Sequence, residues 1–378
     1  MEISDVRARI DALDNQIADL FAERMKTVGE MATYKAALGM PVFDSARERD
    51  ILARVAERVG PDLEMASRRV FESLMEVSRA QQRRMLGVES PLTERIRAAL
   101  ESSRPFPTKA SVACQGTEGS YAQQACDSLF PFARILYFQD FAGVVGAVEQ
   151  GLCEYGVLPI ENSWAGSVAQ VYDLVTNRMF SIARATRRAV DHVLLAPKGV
   201  KLSDVRRVYS HQQALSQCSE FLRAHPAMEP VPFENTAAAA KRVSKEGAGD
   251  EAAIASGICA SLYSLEPLAY DIANSPSNTT RFLCIQREMR ITPDANRVSL
   301  ILTLPHKPGA LYAMMARFAA LNINLTKLES RPIPGSDFQF RFHIDLEADV
   351  RDPRVLGLMG DLERSAERMQ FLGAYREL

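Results

Sequence analysis

The sequence is short of the residues that mark special chemistry or special compartments. Its 378 residues include only six cysteines (Cys114, Cys126, Cys153, Cys218, Cys259 and Cys284). None forms a C-x-x-C pair or a cluster with zinc spacing, and all sit in apolar stretches, so buried thiols are expected rather than disulfides. The five histidines (His192, His211, His225, His306 and His343) include no H-E-x-x-H, and no metal centre is expected. No uncharged apolar run approaches the ~20 residues of a membrane-spanning helix. Neither charge sign is in excess: 45 Lys plus Arg stand against 47 Asp plus Glu, a formal net charge of −2. Nothing therefore calls for nucleic acid or a membrane surface as partner. The opening Met1-Glu2-Ile3-Ser4-Asp5 lacks the basic-then-apolar layout of a signal peptide, and a cytoplasmic location is expected. What is present is an ordinary globular balance, 47% hydrophobic and 24% charged, which excludes disorder and suggests two or three domains.

Three periodicities divide the chain. Residues 3 to 38 read as one long helix, with Ile3, Val6, Ile10, Leu13, Ile17, Leu20, Val28 and Met31 at steps of three and four until Gly39 and Pro41 stop the run. At 1.5 Å per residue it spans about 54 Å, more than a unit of ~90 residues can cover. A partner chain is expected over the stripe, hence a helical homodimer or higher homo-oligomer. A second helix starts at Ser45, where Ser45 and Glu48 fit a capping box. A third runs from Asp62 to about Leu86. Residues 91 to 108 read as a connector.

From 110 to about 287, short apolar runs (Ser111–Cys114, Tyr155–Ile160, Val205–Tyr209, Ala252–Ala255, Phe282–Ile285) alternate with helical stretches (Ala122–Leu129, Phe141–Gln150, Ala214–Arg223, Thr236–Ser244), an α/β signature. From 297 onward the period becomes two: Val298, Leu300, Leu302 and Leu304 in one strand, Phe338, Phe340, Phe342, Ile344 and Leu346 in another. Two helices complete a βαββαβ order, that of a ferredoxin-like sandwich. The expected division is 1–90 all-helical, 91–108 linker, 109–287 α/β and 288–378 α+β.

In the helical unit, cations interrupt an apolar seam. Arg24 and Lys35 stand where the stripe would continue, with Arg7 beside it and Arg47 in the second helix. Such charges are costly unless an anion or salt bridge meets them, or the side chains snorkel to water. Ser78 and Gln82, four apart, share a helix face. Asp44 and Glu48 flank the start of the second helix. With no His and no Cys in the unit, this set suits binding and electrostatic stabilisation rather than nucleophilic attack. Arg7-x-x-Ile10-x-x-Leu13-Asp14, Ala22-Glu23-Arg24, Lys35, Pro41-Val42-x-Asp44, Arg47-Glu48-Arg49 and Ser78-x-x-x-Gln82 together resemble the all-helical chorismate mutase family over residues 3 to 85. The resemblance implies an intertwined dimer, with Arg7 lent by the partner chain. It implies that Arg7, Arg24 and Arg47 surround the substrate carboxylates and that Lys35 and Gln82 hold the ether oxygen. Asp44, Glu48 and Ser78 would position the ring hydroxyl and remaining polar groups. Chorismate to prephenate is a pericyclic rearrangement that needs neither base nor covalent intermediate, which agrees with such a set.

Four polar constellations follow in the middle segment: Gly116-x-x-Gly119-Ser120-Tyr121, Pro159-Ile160-Glu161-Asn162-Ser163 with Gly166-Ser167-Val168 beyond it, Tyr209-Ser210-His211 with Gln217-Cys218, and Asn278-Thr279-Thr280-Arg281-Phe282. Each alone reads first as capping or turn chemistry. Together with Tyr172-Asp173-Leu174 they resemble prephenate dehydratase across about 110 to 287, a family of two α/β lobes like type II periplasmic binding proteins. The resemblance implies Thr280 as the acid that helps the ring hydroxyl leave. Glu161, Asn162, Ser210 and Gln217 would line the site, with Arg281 on a carboxylate. Loss of water and CO2 would yield phenylpyruvate, driven by aromatisation, with no metal or organic cofactor. This sequence has Thr117 and Gln212 where the family has proline.

In the last segment, Pro308-Gly309-Ala310-Leu311 at a strand-to-helix turn and Glu329-Ser330-Arg331-Pro332 at a strand end resemble the amino-acid-binding ACT domain. That implies L-phenylalanine as a feedback inhibitor, with Gly309, Ala310, Leu311, Asn322 and Ser330 as contacts. Tyr312 stands where valine is common. The reading as a whole is a bifunctional isomerase and carbon–oxygen lyase of phenylalanine biosynthesis. A non-enzymatic small-molecule sensor competes with it, although a sensor has no need of Lys35, Gln82 or Thr280-Arg281-Phe282.

Overall fold

The computed structural model describes residues 2–87, 89–178, 180–275, 277–336 and 339–378. Phe338, placed above in an alternating strand, lies outside them. The chain divides into two compact units, 1–94 and 95–378.

The first unit is three helices, α1 (Ile3–Ala37), α2 (Ser45–Val59) and α3 (Glu64–Met85). The cap of α2 is Asp44, whose carboxylate accepts the Arg47 N–H at 3.0 Å, so the capping expected of Ser45 falls one residue earlier. A Cβ on Gly29 of α1 would stand 2.8 Å from Met85 Sδ, and its absence lets α1 and α3 meet closely. Little else closes. In these helices only Gly29, Ala32, Ala56, Met75, Ser78 and Gln82 are buried, while Ile3, Leu13, Ile17 and Leu20 are each more than half exposed. This unit shows an apolar face without a core behind it.

Helix α4 (Pro91–Glu101) spans the boundary between the two units. In the second unit the chain lays down β1 (Ser111–Gln115), α5 (Tyr121–Leu129), β2 (Arg134–Phe138), α6 (Phe141–Glu149), β3 (Tyr155–Asn162), the short β4 (Gly166–Ser167), α7 (Ala169–Asn177) and β5 (Ser181–Ala189). It crosses at 190–192 into a second sheet: β6 (Val193–Ala196), β7 (Arg207–Ser210), α8 (Gln212–Gln217), α9 (Ser219–Ala224), β8 (Glu229–Pro232), α10 (Thr236–Glu246), β9 (Glu251–Ala255), α11 (Ile258–Tyr263) and β10 (Glu266–Ala269). A second crossover at 270–278 returns it to the first sheet as β11 (Thr279–Gln286), which pairs antiparallel with both β3 and β5. The second sheet runs β10-β6-β9-β7-β8, with its last three strands parallel.

The rest is βαββαβ: β12 (Arg297–Thr303), α12 (Ala310–Ala320), β13 (Asn324–Pro332), β14 (Phe340–Glu347), α13 (Pro353–Ser365) and β15 (Arg368–Glu377). β15 pairs parallel with β5 at Arg376↔Arg184 and Glu377↔Ala185, so this sheet continues the first one into ten strands. Strands β2, β4, β5, β6, β8 and β10 have no counterpart in the sequence reading. β2 is a half-exposed edge, and β5 carries Arg184, Arg187 and Arg188 in a central position. The expected helix over 214–223 is two short ones broken at Cys218.

Among the described residues, no helix is long and apolar enough to cross a membrane. All six cysteines are free and buried. Burial pushes the Cys218 and Cys259 thiols up to about 12, which makes them inert.

Candidate functional sites

In the helical unit, Arg24 of α1 meets Ser78 of α3 within one chain, and Ser78 and Gln82, four apart, share a face of that helix. Arg24 Nη1 donates to Ser78 Oγ at 2.5 Å and to Leu74 O at 3.4 Å. Lys35 Nζ donates to Val42 O at 2.6 Å. Gln82 is buried with its Oε1 unpartnered among the described residues, an arrangement that calls for a ligand or a water. Burial lowers the Arg24 pKa. Glu48 pairs with Arg79, whose guanidinium lies over Phe43. Asp44 is spent on the α2 cap, and Arg47 is exposed. Arg7 lies 17 residues before Arg24 on the same helix, about 26 Å along its axis. It cannot reach the same ligand from its own chain.

In the second unit, the strand register sorts the expected residues onto two faces. Thr280 pairs with Asn162, and Arg281 with Glu161. Paired residues share a face and successive residues alternate. On one face a chain of amides ends at Thr280. The backbone N–H groups of Trp164 and Ala165 donate to Asn162 Oδ1 at 3.1 and 2.9 Å. Two N–H donors can meet only the amide oxygen, so Asn162 Nδ2 must point the other way. It donates to Asn278 Oδ1 at 2.7 Å and to Thr280 Oγ1 at 2.9 Å. Asn278 Nδ2 then donates to Gln217 Oε1 at 3.1 Å. Thr280 is half-buried, and its oxygen accepts from Asn162. Its own proton is left to donate, polarised by the bond it receives.

On the other face, Arg281 is enclosed. Its Nη1 donates to Asp345 Oδ2 at 2.5 Å, its Nε to Glu377 Oε1 at 3.0 Å and its Nη2 to Tyr375 Oη at 2.9 Å. Burial works against the charge, but Tyr375, Asp345 and Glu377 outweigh it and raise the pKa. Glu161 meets Lys327 of β13 at 3.0 Å. Neither Arg281 nor Glu161 shares the face of Thr280, because each sits one residue along its strand.

The same alternation governs β13. Lys327, Glu329 and Arg331 face the first sheet, where Glu329 accepts from Ser167, Arg331 pairs with Asp173 at 3.4 Å, and Lys327 and Arg331 both lie over the Tyr172 ring. Ser330 turns to the exposed side. The motif residues Ser167, Tyr172 and Asp173 thus tie β13 to the β4–α7 segment within the ten-stranded sheet. Ser210 donates to Ile254 O at 2.6 Å, tying β7 to β9. Of the expected second-unit residues, Asn162, Gln217 and Thr280 converge. Gly309, Ala310 and Leu311 open α12, whereas Asn322 (φ +55°) lies beyond its far end. At about 1.5 Å per residue, the two ends of that 11-residue helix are about 16 Å apart.

Two participants escaped the sequence reading. Asn278, quoted there as the start of the Thr280 constellation but given no role, supplies the middle link. His192 meets Gln217 Oε1 through Nε2 at 2.8 Å; a single histidine in an apolar run carried no signal of this.

An Arg24–Ser78 contact in the helical unit and a hydroxyl held in an amide chain between two mixed sheets are the polar arrangements that the comparisons with known proteins place in context. Residues 6–83 match the type II chorismate mutase family and residues 112–290 the prephenate dehydratase family. The bifunctional chorismate mutase/prephenate dehydratase of Stutzerimonas stutzeri is 32% identical over 99% of this chain and 97% of its own length. The arogenate dehydratase/prephenate dehydratase 2 of Arabidopsis thaliana is 37% identical over 71% of this chain and 73% of its own. The Arthrobacter aurescens prephenate dehydratase solved with L-Phe superposes with a TM-score of 0.64, at 30% identity, over 70% of this chain and 89% of its own. The chain belongs to the bifunctional chorismate mutase/prephenate dehydratase family, and it is an enzyme carrying both domains.

Proposed function

We propose that the chain rearranges chorismate to prephenate in its helical unit, and converts prephenate to phenylpyruvate, CO2 and water between its two sheets. The carrying observation is the Thr280 hydroxyl, whose oxygen is occupied by Asn162 and whose proton is left to give. In the second reaction the ring hydroxyl leaves with that proton as water. The electrons of the breaking bond to CO2 enter the ring, and Thr280 regains a proton from solvent. Aromatisation drives the step, and no cofactor is invoked. In the first, Arg24 and Arg47 take the carboxylates while Lys35 and Gln82 meet the charge growing on the ether oxygen. Asp44, Glu48 and Ser78 complete the pocket. Arg7 comes from a second copy, whose α1 covers the exposed stripe.

The boundaries that go with this reading are 1–90, 91–108, 109–287 and 288–378. The dehydratase lobes correspond to a type II periplasmic-binding-protein-like pair, supported by the two crossovers. The terminal βαββαβ corresponds to an ACT domain taking L-phenylalanine as inhibitor, around Gly309, Ala310, Leu311, Asn322 and Ser330. The solved relative with L-Phe supports that ligand. A cytoplasmic location fits chorismate chemistry and free thiols. Incubation of the full chain with chorismate should give phenylpyruvate by absorbance, and L-phenylalanine should slow its formation from prephenate. Accumulation of prephenate alone would remove the second activity. Saturating L-phenylalanine without effect would remove the feedback reading.

A further inference from the structure

The amide chain that reaches Thr280 starts at His192, in the first crossover between the sheets, at 2% exposure. Tyr121 packs edge-on to the ring at 6.2 Å and its hydroxyl donates to Asp191 O, pinning the crossover from α5. The direction of the His192–Gln217 bond is forced from the other end. Asn162 has its oxygen fixed by two backbone N–H groups, so Asn278 presents its oxygen to Asn162 and its NH2 to Gln217. Gln217 must therefore present Oε1 to both Asn278 and His192. Only a ring protonated on Nε2 can bond it.

The Nδ1 of His192 then carries a bare lone pair. It is buried without a partner among the described residues, as is Gln217 Nε2. An apolar residue would avoid the orphaned acceptor. The gain that offsets it is the second hydrogen bond on Gln217 Oε1. Burial lowers the imidazole pKa, against the opposing pull of Gln217 and Asp191, which favours the neutral ring; the bond to Gln217 Oε1 selects the Nε2–H tautomer.

We propose that His192 is a positioning residue for prephenate dehydration: its Nε2–H anchors the proton order Gln217–Asn278–Asn162 that leaves the Thr280 hydroxyl hydrogen free to face the leaving group. The inference rests on the dehydratase reading above. It assigns His192 no contact with substrate.

The test compares His192→Gln, His192→Asn and His192→Leu in the full chain. A Gln side chain can place its NH2 where the ring Nε2 stands; Asn places it near Nδ1, too short to reach Gln217. Expected for His192→Gln is a prephenate kcat within about 3-fold of the parent, and for His192→Asn and His192→Leu a fall of about 10-fold or more with KM moved less than about 3-fold, as loss of one transition-state-orienting bond predicts. Chorismate-to-prephenate rates should match the parent in all three. If His192→Leu fails to fold, seen as a lowered melting temperature, the Gln and Asn variants decide alone. Equal kcat in Gln and Asn variants, or an unimpaired Leu variant, overturns the proposal. A parent chain that cannot turn over prephenate overturns the dehydratase reading itself.

Discussion

Thr280 and Arg281 are consecutive residues of β11 that belong to different machines. Thr280 stands in the amide chain of Asn162, while Arg281 closes a buried ion cluster with Asp345 of β14 and Glu377 of β15. Strand alternation alone separates them. A triplet that reads as one motif in sequence is a hydroxyl on one face and a structural cation on the other.

The cluster makes Arg281 a stability residue. Its loss would leave Asp345 and Glu377 buried with less compensation, which for such pairs costs about 3–5 kcal/mol. Arg281→Leu should therefore lower the denaturant midpoint strongly, and Arg281→Lys should do so less, since it keeps the charge and loses the fork. Prephenate KM in the folded fraction should move little. A KM raised more than tenfold at an unchanged midpoint would return Arg281 to the substrate carboxylate.

Thr280→Val keeps the volume of the side chain and removes the hydroxyl. Loss of a general acid typically costs ~10²–10⁴ in rate, so prephenate turnover should fall by that order while chorismate turnover is unchanged. Thr280→Ser should keep most of the activity. A Val variant at parental rate would leave the amide chain without a purpose.

The βαββαβ order and the long first helix were legible because their periods are unbroken: every second residue of β12 and every third or fourth of α1. The pairing of Asn162 with Thr280 was half legible, since two motifs could be named but not their faces; a bulge between Arg281 and Phe282 sets the register locally. That Glu161 and Arg281 lie on the opposite face from Thr280 follows from this pairing. His192 was illegible, because its meaning comes from Gln217, 25 residues away, and from a hydrogen-bond direction fixed by the Trp164 and Ala165 amides. The contacts of Glu329 with Ser167 and of Arg331 with Tyr172 were hidden in a motif associated with ligand binding, and Lys327 beside them carried no motif.

His343 gives the fold an acid limit. Burial drives its pKa down to about 4, with Glu329 and Asp345 pulling up and Arg331 and Lys327 pushing down around it; its ring packs edge-on to Tyr172 at 4.8 Å. An unfolded histidine titrates near 6.5, so between about 6.5 and 4 the unfolded state binds the extra proton. Stability is then lost as pH falls through that window, by up to about 3 kcal/mol for this group. Chemical denaturation at pH 7.5, 6 and 5 should show the decline, and His343→Phe should flatten it. A parental slope in that variant would assign the titration to another group, such as buried His192.

The exposed stripe of α1 and the span from Arg7 to Arg24 make one further demand: if two copies intertwine, a mutase site takes Arg7 from one chain and Lys35 from the other. Arg7→Ala and Lys35→Ala should each lose most chorismate turnover, about 3–4 kcal/mol of barrier for a preorganised donor such as Lys35. When the two inactive variants are unfolded, mixed and refolded together, random pairing makes half the dimers mixed. Each mixed dimer holds one site with both residues intact and one with neither, so roughly a quarter of the sites should recover under two-fold symmetry. Prephenate turnover, which needs neither residue, should be parental throughout. A mixture no more active than its components would mean that each chain builds its site alone, and then some other cation than Arg7 must complete it.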